Sequence, residues 1–317
     1  MDYKKFERTL DDVVETLKNA RIYGKKAALL IGTGCSAQAG IPTAEKFVDI
    51  IRRDRPKDYN RAPKKNYSAC MSELAPGERR DLIANFTEET KINWAHIIMA
   101  QLMKSGYVDR ILTTNFDPLL IKACALLNEF PAVYDLTASN SFKPDYIPEK
   151  SVFYLHGQRT GFELINTSEE FTEHSKRIKP VIQDTGRGRV WIVVGYSGRN
   201  DPVFDILASF PKFDYRLYWV GYRDKPAEEH IQEKLLQEGK YAYFVRGYDA
   251  DGFFVSLARK LGCFPPEFLN RPFSFLKTLF NNLAPCECID DDEDIGVEDV
   301  LNKINEAIEL FESRNDG

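Results

Sequence analysis

Short apolar runs, each rich in β-branched and aromatic residues, recur along the chain and restrict the folds open to it. They are Ala27–Gly32, Arg110–Asn115, the run that starts at Ser151, Val190–Ser197, Tyr215–Tyr222 and Tyr241–Gly247. Runs of this kind are typical of strands buried on both faces, as in a parallel sheet. Helical patterns separate most of them: Trp94–Lys104, Pro118–Leu127, Asp201–Ala208, Ala227–Gln237 and Gly252–Leu261. The alternation predicts a doubly wound α/β fold with a parallel sheet and right-handed crossovers.

Two stretches interrupt this alternation. Asp54–Arg79 is polar and contains three prolines, which predicts a loop-rich insertion. Gln158–Arg189 separates two strands by more than a single helix requires. We expect these helical insertions to form a small lobe, or a lid over the crevice where the strands end.

The charge balance narrows the class of partner. The chain has 48 acidic and 43 basic residues and a net charge of −5. A broad nucleic-acid or anionic-membrane surface needs clustered Lys and Arg, so the balance argues against both. No apolar run approaches the roughly 18 residues of a membrane helix, and the charged N-terminal segment lacks the apolar core of a signal peptide. The sequence therefore predicts a cytoplasmic protein without a membrane partner.

The six cysteines contain no CxxC pair, and the closest spacing is that of Cys286 and Cys288. Structural zinc usually draws on two closely spaced pairs, so we expect no metal site. Scattered cysteines in a cytoplasmic chain are expected to be reduced, and buried or inert.

The predicted domain organisation places one domain over residues 1–284. It has a core over residues 24–263, a helical N-terminal extension over residues 1–23 and C-terminal helices over residues 264–284. Residues 285–317 contain the acidic run Asp290–Asp294, expected to be a solvated linker, and then an amphipathic helix pattern from Val297 to Phe311. That helix either folds back on the domain or begins a further one, and we prefer the second interpretation.

Four of the predicted strands end in residues that can carry chemistry. Gly32–Pro42 is rich in small residues, which suits either a phosphate-binding loop or a tight strand–helix turn. Asn115 and Asp117 follow the second strand, where Asp117 can also cap the next helix. His156 follows the third strand, and Val194–Gly198 ends the fourth. Because these strand ends meet at one edge of a doubly wound sheet, they predict a ligand crevice.

In chain order these elements read GTGCSAQAGIP, TTNFD, LHG and VVGYSGRND. Taken together, they resemble the sirtuin family, whose members carry a GAGxSxxxGIP loop, a TQNID motif, a catalytic HG and a GTS loop in that order. The resemblance covers Gly32 to Gly262. It implies a Rossmann-like sheet that binds NAD+ as a substrate and cleaves its nicotinamide–ribose bond.

Departures from the sirtuin pattern refine this expectation. Sirtuins that deacylate proteins carry four zinc-binding cysteines between the HG and GTS motifs, whereas Gln158–Arg189 has none. GYSGRND also replaces GTS and the segment that pairs with the acyl-lysine peptide. The chain thus looks like the zinc-free, sirtuin-like NADase domains of bacterial anti-phage defence systems. That likeness implies an effector that depletes NAD+, with no metal, as a homo-oligomer coupled to a sensor or regulatory domain or protein.

The resemblance also implies residue roles. Asn115 would orient a water, Asp117 would bind the nicotinamide carboxamide, and His156 would bind the ribose hydroxyls and act as the base. The residues carried over to the pyrophosphate are Gly32, Thr33, Gly34 and Ser36, and those carried over to the adenosine half are Gly195, Ser197 and, with a helix cap as the equal alternative, Asp251. Asp201 is characteristic of the NADase-like pattern but also suits a helix N-cap, so no chemistry is assigned to it.

Three functions stay open at this point. The leading one is an NAD+ glycohydrolase that yields nicotinamide and ADP-ribose. The second is an NAD-dependent protein deacylase or ADP-ribosyltransferase, which needs an acceptor. The third is a sensor that binds NAD+ or ADP-ribose without cleaving it. The polar set of Asn115, Asp117 and His156 favours an enzyme, since binding alone does not need all three.

Overall fold

The computed structural model describes residues 3–87, 90–138, 142–161, 163–284 and 297–312. The acidic run Asp290–Asp294 lies outside the described residues. Contacts within the chain divide it into two units, Met1–Gly262 and Cys263–Gly317. The expectation that the first domain extends to residue 284 stays a prediction.

The first unit is built on one eight-stranded sheet with the order β1-β8-β7-β6-β2-β3-β5-β4. Every pairing between its strands is parallel. The predicted doubly wound, Rossmann-like α/β class is therefore confirmed. The strands are β1 Glu7–Arg8, β2 Ala27–Ile31, β3 Val108–Thr113, β4 Ala132–Asp135, β5 Ser151–Tyr154, β6 Val190–Val194, β7 Leu217–Tyr222 and β8 Ala242–Tyr248.

All six predicted apolar runs form strands, because the residues of the central strands are buried on both faces of the sheet. Every residue of β2, β3, β5 and β6 is buried. The predicted ends of β3 and β6 were too late, because their polar and glycine residues already belong to the following loops. The pattern missed two edge strands, the two-residue β1 and the partly exposed β4.

Helices cover both faces of this sheet and connect its strands. They are α1 Leu10–Ile22, α2 Ala44–Asp54, α3 Pro56–Arg61, α4 Tyr67–Ser72, α5 Pro76–Ala84, α6 Trp94–Lys104, α7 Leu119–Leu126, α8 Ser168–Thr185, α9 Pro202–Ala208, α10 Glu229–Lys234 and α11 Ala250–Leu261. A capping box of Thr9 and Asp12 starts α1. The hydroxyl groups of Thr16 on α1 and Tyr218 on β7 lie 2.7 Å apart, so the N-terminal helix packs on the sheet.

The prediction that Asp54–Arg79 is loop-rich is wrong, because α3, α4 and the first turn of α5 lie there. Pro56 and Pro76 each stand in the first turn of a helix, where proline has no N–H to lose and its fixed φ suits the helix. We call residues 44–84 the helical lobe. Its core contains Phe47, Met71 and Ile83, and Phe116 from the loop after β3 packs against it.

The second unit contains α12 Glu267–Asn270, α13 Pro272–Phe280 and α14 Val297–Phe311. The helix predicted from Val297 to Phe311 is confirmed as α14. Glu312, which follows α14, accepts hydrogen bonds from the backbone N–H groups of Phe273 and Ser274 at the start of α13. Ile304 of α14 is buried.

Candidate functional site

The strand register brings the four sequence motifs to one edge of the sheet. Ile31 of β2 pairs with Thr113 of β3 on one side and with Val194 of β6 on the other. Thr113 in turn pairs with Tyr154 of β5. All four motifs leave the sheet directly after these aligned residues. In the sheet, β2 lies between β3, the next strand along the chain, and β6, a later strand. This edge is therefore a topological switch point, where doubly wound sheets bind ligands.

The loops after β2 and β6 touch through glycine. A Cβ on Gly34 would lie 2.7 Å from the Cα of Gly195, and a Cβ on Gly32 would lie 2.6 Å from the carbonyl oxygen of Gly195. Gly195 itself has φ +64°, in the left-handed region that favours glycine. These glycines therefore allow two backbones to meet in close contact.

The backbone amides of the glycine loop are largely used inside the protein. The N–H groups of Gly34, Cys35 and Ser36 donate to the carbonyl oxygens of Gly195, Gly32 and Thr33 at 2.9, 2.9 and 3.0 Å. In this conformation a phosphate at the loop would need other donors. Thr33 lines the cavity described below, and its hydroxyl is one such group.

Ser36 joins the loop after β2 to the loop after β3. Its hydroxyl is fully buried, donates to Asp117 Oδ2 at 2.8 Å and accepts from Asn115 Nδ2 at 3.0 Å. Asp117 Oδ1 accepts from the N–H of Leu119 at 3.1 Å and so stabilises the first turn of α7 from the residue before its N-cap, Pro118. The two interpretations of Asp117, cap and site residue, are thus compatible in one geometry.

Asn115 presents an acceptor with no partner. Its Nδ2 is held by Ser36 and by the carbonyl oxygen of Gly32 at 3.2 Å, which fixes the orientation of the amide. Its Oδ1 is buried and lacks a hydrogen-bond partner, although Asn115 lines the cavity. A buried acceptor without a partner is rare and favours a bound water or ligand group.

His156 pairs with the carboxylate of Asp201, to which the sequence assigned no chemistry. Its Nε2 lies 3.0 Å from Asp201 Oδ2, and Asp201 Oδ1 accepts from the N–H of Val203 at 2.9 Å. Asp201 therefore does cap α9, as predicted, but it also contacts His156. The Nδ1 atom of His156 is buried without a partner. The edge-on ring of Phe171, 4.8 Å away between centroids, packs against the imidazole.

These side chains surround a cavity of about 160 Å³ between the strand ends and the helical lobe. Its apolar wall includes Ile41, Phe47, Tyr67, Ile83, Phe116, Ile165 and Phe171, and its polar wall includes Thr33, Asn115, Asp117, His156, Ser197, Asn200 and Asp201. Gly195, predicted on the adenosine side, lines it too, whereas Gly32, Gly34, Ser36 and Asp251 do not. A mostly apolar cleft with a few convergent polar groups is typical of a small-molecule site.

Arg199 supplies the guanidinium group at the cavity, and it is the sole Lys or Arg among the residues that line it. It forms ion pairs with Glu45 of α2 at 2.8 Å and with Glu228 at 2.6 Å. The hydrogen bond that Arg199 donates to Glu228 is the main cause that raises the pKa of Arg199. Sequence reasoning did not select Arg199, because an exposed arginine in a loop carries no signal of its own.

Asp251 does not line the cavity and instead bonds to the start of α6. Its Oδ1 accepts from the N–H of Ala95 at 2.7 Å and from Asn93 Nδ2 at 2.6 Å. Asn93 Nδ2 also donates to the carbonyl oxygen of Cys35 at 2.8 Å. Asp251 thus caps α6 and ties it to the glycine loop, while Asp249 caps its own helix α11. Burial raises the pKa of Asp251.

The three buried cysteines offer no activated nucleophile. Cys35, Cys70 and Cys124 are buried, as expected, and burial raises the pKa of each thiol, that of Cys124 to about 12. Within the part of the chain that the structure describes, no group of three or more His, Cys, Asp or Glu side chains could hold a metal ion. Among the same residues, none forms a helix that is long and apolar enough to cross a membrane.

The chain is similar in sequence and in fold to known SIR2-like proteins. Residues 109–243 match the family model of the SIR2-like domain. A Sir2 enzyme studied for its mechanism and regulation is 16% identical, with a TM-score of 0.49, over 81% of this chain and 98% of its own. A Sir2 complex with a p53 peptide and NAD+ is 15% identical, with a TM-score of 0.45, over 80% and 99%. Sir2Tm bound to a propionylated peptide is 16% identical, with a TM-score of 0.45, over 81% and 100%. No curated protein matches the chain.

Proposed function

We propose that this sirtuin-like chain, with its SIR2-like domain over residues 109–243, hydrolyses NAD+ to nicotinamide and ADP-ribose. One observation carries the proposal: two buried acceptors without partners, Asn115 Oδ1 and His156 Nδ1, belong to side chains that line the same cavity. A hydrolase must orient a water and accept its proton. A module that only binds the dinucleotide needs neither.

The reaction sets the tasks of the protein. The bond between the ribose anomeric carbon and the nicotinamide nitrogen breaks, and its electron pair leaves with nicotinamide as a neutral base. The water oxygen forms the new bond to carbon and gives up one proton. Because the leaving group needs no proton, the protein has to hold the sugar, orient the water and accept that proton.

Asn115 and Asp117 are suited to the first two tasks. The amide of Asn115 is fixed through Nδ2, so Oδ1 can accept a hydrogen from a water in the cavity. Asp117 receives one hydrogen bond on each carboxylate oxygen, from Ser36 and from Leu119. A carboxylate has about four acceptor positions, so Asp117 can also accept from the carboxamide of nicotinamide.

His156 is suited to the third task. Nδ1 of its imidazole is unpartnered and therefore can accept a proton from a ribose hydroxyl or from the attacking water. Phe171 and residues of the helical lobe form the apolar side of the cavity, and apolar surroundings strengthen the polar contacts made beside them.

The anionic half of the dinucleotide needs donors at the mouth of the cavity. Thr33 and Ser197 contribute hydroxyl groups there, and Arg199 contributes the guanidinium. A guanidinium matches phosphate oxygens with two parallel N–H donors. We assign the pyrophosphate to Arg199 and Thr33, and the adenosine side to Gly195 and Ser197.

Two features favour hydrolysis over deacylation. The segment Gln158–Arg189 contains no cysteine, so it lacks the four zinc ligands of protein deacylases of this family. The helical lobe contributes Phe47, Tyr67 and Ile83 to the cavity wall, which encloses a small molecule. We further propose that the chain depletes NAD+ as an effector of bacterial anti-phage defence, in the cytoplasm, as a homo-oligomer with a sensor partner.

The test is to mix the purified chain with NAD+ alone and to quantify nicotinamide and ADP-ribose by chromatography. We expect release by the parent chain, and a loss of about 10²- to 10⁴-fold in His156→Gln and in Asn115→Ala. Asn60→Ala, an exposed asparagine on α3, is the matched control and should retain full activity.

Three outcomes would contradict the proposal. Equal turnover by the parent and both variants would remove the assigned roles. Release that requires an acylated peptide would favour a deacylase. Binding of ADP-ribose with no loss of NAD+, both in vitro and in cells that express the chain, would favour a sensor.

A further inference from the structure

We propose that Asp201 is a positioning residue for His156: its carboxylate holds the imidazole in the tautomer protonated on Nε2 and leaves Nδ1 as the base. This inference rests on the proposed hydrolysis of NAD+. It assigns a second role to a residue that already serves as a helix N-cap.

The hydrogen bond itself decides the tautomer. His156 Nε2 lies 3.0 Å from Asp201 Oδ2, and both side chains are nearly buried, with exposed fractions of 4% and 12%. An ionised carboxylate only accepts hydrogen bonds, so the proton must reside on Nε2. A neutral imidazole carries one donor and one acceptor, and Nδ1 is therefore the acceptor.

The carboxylate is itself held in place. Asp201 Oδ1 accepts from the N–H of Val203 at 2.9 Å, and Pro202 starts α9 directly after it. One oxygen is thus fixed by the helix, and the other is directed at His156. The two contacts need two acceptor oxygens on one side chain. Serine or threonine would cap α9 equally well but has a single oxygen, so the second contact explains why aspartate stands at this position.

A second histidine lies close to His156. His174 of α8 lies 6.5 Å from His156 between ring centroids, and its Nε2 donates to the carbonyl oxygen of Leu155. Burial lowers the pKa of His174, so that ring adds no positive charge beside His156 at neutral pH. The other titratable groups that line the cavity are Asp117, Asp201, Arg199, Tyr67 and Tyr196, and burial raises the pKa of both tyrosines, which keeps them neutral.

Two substitutions separate positioning from capping. Asp201→Ser keeps an oxygen for the N–H of Val203 and removes the group that reaches His156. Asp201→Asn keeps the size but has a single oxygen; with that oxygen on Val203, its NH₂ faces the imidazole and favours the proton on Nδ1, the wrong tautomer for a base. Asp249→Ser is the matched control, because Asp249 caps α11 through Gly252 and does not line the cavity.

The first measurement is ¹⁵N NMR of the ring nitrogens in the full chain, which has four histidines. The His156 signals are assigned by their loss in His156→Gln. We expect a protonated Nε2 in the parent and a protonated Nδ1 in Asp201→Asn. A parent protein with the proton on Nδ1 would overturn the proposal. This measurement needs no turnover, so it tests the tautomer even if the parent releases no nicotinamide. Absence of nicotinamide release would contradict the proposed function and not the tautomer.

The second measurement is steady-state release of nicotinamide. We expect kcat to fall about 10- to 100-fold in both Asp201 variants, with KM changed less than about threefold, because the lost contact is made to His156 and not to substrate. Asp249→Ser should retain the kcat of the parent. If the parent protein is active and both Asp201→Ser and Asp201→Asn have the same kcat as the parent, the positioning role is overturned.

Discussion

Gly34 and Gly195 lie so close that a Cβ on Gly34 would be 2.7 Å from the Cα of Gly195. The N–H of Gly34 donates to the carbonyl oxygen of Gly195 at 2.9 Å. This contact joins the loop that carries Ser36 to the loop that carries Ser197 and Arg199. The distance between the two halves of the candidate site therefore depends on glycine at both positions.

Gly34→Ala should destabilise the protein by about 1–3 kcal/mol, because the added methyl forces the loops apart in a close-packed region. Gly77→Ala is the matched control: no atom lies within 4 Å of its Cβ position, and it is in α5. Alanine there should raise stability by up to about 1 kcal/mol. Thermal unfolding measures both, and an unchanged melting temperature in Gly34→Ala would refute the steric argument.

The sequence was sufficient for six of the eight strands and for the sheet edge at which its polar motifs meet. Burial on both faces leaves a continuous apolar run, so the central strands could be read directly. Asn115 and His156 stood out because a polar residue directly follows such a run. Since parallel strands end at one edge, their meeting in space followed from the fold class alone.

Other features depend on contacts that no local pattern contains. β4 is an edge strand with a partly exposed surface, so its four residues lack the apolar signal of the interior. The cap at Asp201 was visible in the sequence, but its contact with His156 joins residues 45 positions apart. The tie between Asp251 and Ala95 spans 156 positions and crosses two elements. Such pairings arise from tertiary packing, which local propensity does not determine.

Ser36→Ala tests the hydrogen-bond bridge between the loops. Loss of the hydroxyl removes the donor to Asp117 and the acceptor for Asn115, both of which are buried. We expect a loss of about 1–3 kcal/mol in the free energy of unfolding, since buried polar groups are left unsatisfied. We also expect a drop in kcat of about 10-fold or more as Asn115 loses its orientation.

Urea unfolding and nicotinamide release measure these two effects of Ser36→Ala. Ser175→Ala on α8 is the control, because its hydroxyl bonds only a carbonyl one turn back and is exposed. Equal stability and activity in Ser36→Ala and Ser175→Ala would show that the bridge does not organise the site.

Arg199 is the subject of the next prediction. Arg199→Ala should raise KM for NAD+ about 10-fold with a smaller change in kcat, because the guanidinium is assigned to the pyrophosphate, away from the reacting bond. Glu228→Gln should lower KM, since it removes a competitor for the same guanidinium. Arg53→Ala, an exposed arginine paired with Asp54, controls for net charge. A KM that is the same in all four proteins, parent included, would exclude Arg199 from substrate binding.

Buried histidines make stability depend on pH. His96 and His174 are almost fully buried, and burial is the main cause that lowers the pKa of each below its usual value of 6.5. Below that value the unfolded chain binds protons that the folded chain does not, so stability rises with pH across the window between the folded value and 6.5 and is lost as pH falls through it. Each histidine contributes at most about 1.4 kcal/mol per pH unit. Urea unfolding between about pH 7.5 and about pH 5.5 measures this slope.

The variants His96→Gln and His174→Gln test the contribution of each histidine. Each variant should be less stable than the parent near pH 7.5, because both native side chains have hydrogen-bond partners. Each variant should also lose less stability than the parent as the pH falls. Parallel curves for the parent and the double variant would show that neither histidine is held neutral by the fold.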